Sequence, residues 1–153
     1  MVSSRGRANH SLYLGRILLA AWHREAAGES VPAATLSQAY LPAVRAHFAD
    51  AYGWFLLEIT RPEPLPARPP HRCAELPGIA RGKALPGEAR EFEQLEQSGW
   101  LAQMLDETCE QRVSASPDNL ATGPGCLGPE DAAAWAEALQ ALFDRMGDSL
   151  DEY

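Results

Sequence analysis

Apolar residues recur at steps of three and four along most of this chain, and clusters of Pro and Gly cut that rhythm into four segments. The first predicted helix spans 4–27 and stops at Gly28. It groups Leu14, Ile17, Leu18, Ala21 and Trp22 on one side, while Asn9, Arg16 and His23, seven apart, fall on one polar stripe. The second spans 33–60 behind Pro32, with a wide apolar face of Leu36, Tyr40, Ala43, Val44, Ala51, Trp54 and Phe55. Pro42 lies inside it and is expected to kink or split it, because proline lacks the backbone donor and crowds the preceding turn. The third spans 86–112, interrupted at Ser98-Gly99, with Ser98 placed to cap a new piece from Trp100. The fourth, 129–150, opens on Pro129, Glu130 and Asp131, which suit a helix start. It repeats Trp135, Leu139, Leu142, Met146 and Leu150 along one face.

Two connectors separate these segments. Arg61–Arg72 holds five prolines, so 61–85 reads as an extended spacer, with Pro66-Ala67-Arg68-Pro69 its nearest approach to a P-x-x-P ligand. The stretch 113–128 is rich in turn formers. No alternation of β-branched and aromatic residues competes, and the prediction is an all-α, antiparallel bundle of about four helices forming a single domain over 1–153. The long 61–85 connector leaves room for a crossover.

Composition narrows the function classes. The net charge of −8 is uneven: residues 1–83 carry ten Lys/Arg and six Asp/Glu, residues 84–153 three and fifteen. The acidic total argues against general nucleic-acid binding, which relies on cations neutralising phosphates. No apolar run is long enough to span a membrane, and no secretory signal is legible at the N-terminus, so a cytoplasmic location is expected. Cys73, Cys109 and Cys126 match no zinc spacing, so no metal or other cofactor is expected.

The candidate chemistry is sparse. Arg16 and His23 form the one geometrically sensible Arg/His pair; all-helical HEPN ribonucleases use such a pair to hold a phosphate and move a proton. In this sequence Ile17 follows the Arg where that family usually has a polar residue. His47 and Glu58 project into the apolar face of the second helix, eleven residues and about 16 Å apart along the axis. Each needs a partner if buried. The Arg5–Arg7 region comes level with Glu58 in a helical hairpin, so Arg7 and Asn9 belong to a segment able to latch the N-terminus there.

At Arg7-x-Asn9-x-x-Leu12-Tyr13, Ala51–Leu56 (AYGWFL) and Trp100–Leu105 (WLAQML), the chain resembles a family of short bacterial, mostly gammaproteobacterial, proteins of unknown function. Ala8 stands where that family usually has Thr, and Asp50-Ala51 precedes Tyr52-Gly53 where it has His-Leu. The resemblance implies a helical bundle in a bacterial cytoplasm and no substrate. The leading expectation is a non-enzymatic interaction or adaptor module, acting by self-association or by docking a protein partner. Its grounds are four tryptophans, several of them near helix edges, and the charge asymmetry. Two alternatives stand beside it: a HEPN-like RNA-processing nuclease using Arg16 and His23, and a small-molecule binder with His47 and Glu58 in the bundle core.

Overall fold

The computed structural model describes residues 3–77, 87–106 and 127–151. These residues build five helices and one 3-10 turn: α1 (Ser4–Ala27), α2 (Ala33–Thr60), the turn Cys73–Glu75, α3 (Gly87–Gln97), α4 (Trp100–Leu105) and α5 (Pro129–Asp151). No strand occurs among the described residues. The part of the expected third helix beyond Leu105, and most of the 113–128 connector, lie outside them or end at Asp106.

The helix ends follow local chemistry, with two corrections. The Ser3 hydroxyl accepts from the Gly6 N–H at 3.0 Å and caps α1. At the other end Gly28 is the cap residue but stays right-handed, and the left-handed reversal falls on Glu29, at φ 53°. Gly99, at φ 93°, precedes α4, and no side chain caps that helix, so Ser98 does not serve as its N-cap. A backbone turned that way favours glycine, which supplies the break between α3 and α4 in place of a hydroxyl. Asp131 accepts from the Gly128 N–H at 2.8 Å and closes the first turn of α5.

Pro42 does not split α2, which is continuous over 28 residues. Pro42 and Gln38, whose carbonyl loses its intrahelical donor, both face solvent, so water can take the missing hydrogen bond.

α2 is the central element. Through Ala51–Leu57 every residue is buried, so the helix is covered on all sides there. Ala43, expected in its apolar face, is exposed. α1 runs antiparallel to α2: Trp22 stacks on Tyr40, Gly15 meets the Phe48 ring, and the Arg7 guanidinium lies over Trp54. A side chain at Gly15 would collide with that ring, so glycine sets the closeness of the pair. α5 runs parallel to α2, as three successive contacts show. Ser37 Oγ donates to the Leu127 carbonyl at 2.9 Å, Arg45 lies over Trp135, and Phe55 stacks on Phe143 at 4.4 Å. Two parallel neighbours require the chain to return along the bundle between them, and the long segment after α2 provides that crossover. α3 and α4 close the core through Phe92, Leu101 and Met104.

The buried stripe of α1 is Ala8, Leu12, Gly15, Leu19 and Trp22, rotated from the expected one. Ile17 is 49% exposed and Leu14 and Leu18 are half-buried. Ala and Gly at the α2 contact allow close approach, and that selects the stripe with small residues over the one with more leucine and isoleucine. Trp22, Trp54 and Trp135 are core residues, which removes three of the four tryptophans as evidence for an exposed interaction surface and leaves half-buried Trp100.

Candidate functional site

The expected site residues do not converge. Asn9 and His23 face solvent and Arg16 is half-buried. Arg16 and His23 stand seven residues, about 10 Å of helix rise, apart on α1. Glu58 is partly buried at the end of α2, where its carboxylate is 4.0 Å from Arg61, one turn on. Arg7 instead packs its guanidinium 4.7 Å from the centre of the Trp54 ring, and Arg5 lies against Gly147 of α5. The N-terminus is thus fastened by stacking and packing, and the expected Arg7–Glu58 contact is replaced. His47 is half-buried, a dozen ångströms or more along the axis from Glu58.

The structure assembles polar groups elsewhere, where the proline-rich connector meets α2. Pro69 and Pro70 press against Gly53, and the Pro70 carbonyl takes the space of the missing side chain. Asp50, one turn earlier, bonds the His71 ring at 2.8 Å. The His71 N–H donates to Glu75 at 3.1 Å. Glu96 of α3 accepts twice, from the Tyr52 hydroxyl at 2.5 Å and the Cys73 N–H at 2.8 Å. The Cys73 thiol is buried, 3.8 Å from both the Tyr52 hydroxyl and the Ala89 carbonyl. Burial, reinforced by the Glu96 carboxylate, pushes that thiol up to about 12. Burial first, and then Glu96, also raise the Tyr52 phenol well above its usual range. Both groups therefore stay protonated. A thiol so buried and so weakly acidic is a poor nucleophile, and this cluster seats the connector. His71 and Cys73, two residues apart in the sequence His71-Arg72-Cys73, serve separate contacts.

With this geometry defined, the sequence assigns the chain to a family. It belongs to a family of unknown function, DUF6586, matched over residues 1–152. No curated protein and no solved structure matches the chain. In this family member, the Asp50-Ala51-Tyr52-Gly53 stretch acquires a specific role. Asp50, Tyr52 and Gly53 hold, respectively, His71, Glu96 and Pro70.

Two surface features remain. On α1, Tyr13 is 61% and Ile17 49% exposed, one turn apart and directly opposite the buried stripe. Exposed Ala20 continues this face, and exposed His10 and Arg24 bracket it. Between α3 and α5 lies an open groove of about 450 Å³ with Leu95, Trp100, Ala138, Ala141 and Leu142 along it. At one end Arg145 and Glu91 pair at 2.5 Å. Sequence reasoning missed the α1 face because Ile17 fell on the side with more apolar residues. The signal was available in Ala8 and Gly15, whose small size marks the closer packing side. Arg45 was also missed: it is buried with its guanidinium 5.5 Å from the Trp135 ring centre, in a row with Leu41, Val44 and Phe48.

Proposed function

We propose that this protein is a non-enzymatic interaction module of the bacterial cytoplasm, working through the outer face of α1. The observation that carries this reading is the placement of Tyr13 and Ile17. They are two large apolar side chains turned straight outward, one turn apart, on a helix whose other side already fills the core. An amphipathic helix that keeps a second apolar stripe in water has the form of an anchor for a protein groove. No comparable observation favours the nuclease alternative through Arg16 and His23 or the core-pocket alternative through His47 and Glu58.

The reading is tested by placing a photo-crosslinking amino acid at Tyr13, and at exposed Ala46 of α2 as a control, in the intact protein in its own cells. A discrete protein adduct from position 13 that Ile17→Asp abolishes supports the reading. No adduct, or the same pattern from both positions, overturns it.

A further inference from the structure

The α1 face and the α3–α5 groove differ in the way that two halves of one contact differ. α1 presents a ridge: Tyr13 and Ile17 project from it, with Ala20 beyond and His10 and Arg24 at the two ends. The groove presents a concave apolar floor of Leu95, Trp100, Ala138, Ala141 and Leu142. A ridge with side chains at i and i+4 is the usual occupant of such a groove. Charge sorts the same way. On the ridge itself the arginine is Arg24, since Arg5 lies against Gly147, Arg7 lies over Trp54 and Arg16 is half-buried to one side. Exposed Glu137 and Asp144 lie one turn to either side of Ala141 on the groove wall. Arg145, the cation at the groove, is already engaged by Glu91.

We infer that the occupant of the groove is α1 of a second copy of this chain, docked head to tail. This rests on the reading of the α1 outer face as the working surface and names its partner. Of the two ways in which two α1 faces could meet, a parallel pair sets Arg24 beside Arg24, and an antiparallel pair is distinguished below because it would survive Ala141→Arg. The head-to-tail contact joins two different surfaces, so every bound copy still offers one free ridge and one free groove. Assembly then continues into a ring or a chain of subunits. Two anchoring side chains make a small interface, so the contact is weak and depends on concentration and salt.

The test uses the purified full-length chain in sedimentation velocity over a concentration series. The expected result is association that grows with concentration, with affinity falling roughly tenfold when salt is raised well above physiological strength. Ile17→Asp spoils the ridge and Ala141→Arg fills and repels at the groove, and both positions are on the surface. Each variant alone is expected to stay monomeric. Mixed in equal amounts they are expected to form a 1:1 dimer and stop there, because one retains the groove and the other the ridge. Wild-type protein that stays monomeric to its solubility limit overturns the inference. So does association that persists in either variant alone, or a mixture of the two that stays monomeric. If wild type is monomeric while position 13 crosslinks in cells to a different protein, this inference falls and the reading of the α1 face stands. If position 13 crosslinks to nothing, that reading falls as well.

Discussion

The carbonyl of Pro70 rests on Gly53 in the space that any side chain there would occupy. Glycine in a helix interior ordinarily costs about 1 kcal/mol relative to alanine, so Gly53→Ala should stabilise an isolated helix. Here the obstacle is backbone, which cannot rotate aside. The overpacking penalty of about 1–3 kcal/mol, plus loss of the connector's seat, outweighs the propensity gain. Gly53→Ala is expected to lower Tm by several degrees in a calorimetric or circular-dichroism melt. Gly87→Ala, where a side chain meets open space, is expected to change it little.

Tyr52 and Cys73 share the Glu96 carboxylate. Tyr52→Phe removes one of the two bonds that carboxylate accepts and should cost about 1.5–3 kcal/mol, the range for a hydrogen bond to a charged group. Paired with Glu96→Gln in a double-mutant cycle by urea unfolding, the two changes should be clearly non-additive. Additive effects would mean the contact contributes nothing to stability.

The same cluster sets an alkaline limit. The Cys73 thiol is raised in the folded protein, from an ordinary value of 9.0 to about 12, and the Tyr52 phenol is raised above its ordinary 10.0. The unfolded chain therefore releases these protons first as pH rises. The stability contributed by the buried neutral forms is complete below about pH 9 and is lost progressively on the way to about pH 12. Urea midpoints measured at intervals from pH 8 to pH 11 should fall with pH, and Cys73→Ala should make that fall shallower.

Arg7 and Glu58 separate two ways of fastening a helix end. Arg7 stacks on Trp54, a contact with a typical value of about 0.5–1 kcal/mol. Glu58 faces Arg61, whose side chain is 70% exposed, at 4.0 Å, and such pairs contribute little. Arg7→Ala is expected to lower the unfolding midpoint by more than Glu58→Gln, which should leave it nearly unchanged. The reverse order would restore a carboxylate latch for the N-terminus.

Much of the fold was legible because helix boundaries rest on local chemistry. Pro129 with Glu130 and Asp131 opens α5 as their dipole preferences require, and Trp135, Leu139 and Leu142 lie in its core as the periodicity implies. The rotation of α1 was not legible, because hydrophobicity favours Ile17 and Leu14 while close packing favours Ala8 and Gly15. That choice belongs to the partner helix, which presents Phe48. Pro42 misled for a related reason: proline's penalty depends on whether water can reach the orphaned carbonyl. The candidate residues were read in pairs along single helices. The polar contacts that form instead, Asp50 with His71 and Tyr52 with Glu96, join positions 21 and 44 residues apart. Spacing along one helix carries no information about such contacts.

The complete burial of Ala51–Leu57 makes one helix turn after another inaccessible to solvent unless the surrounding helices part together. Amide protons in that stretch should exchange with deuterium only through whole-molecule opening, whereas those near Pro42 and along the outer edge of α1 exchange through local fluctuation. The centre of α2 thus acts as an internal clock for the global equilibrium. Any partner that grips the native form, wherever it binds, slows that clock by a factor set by its affinity and concentration.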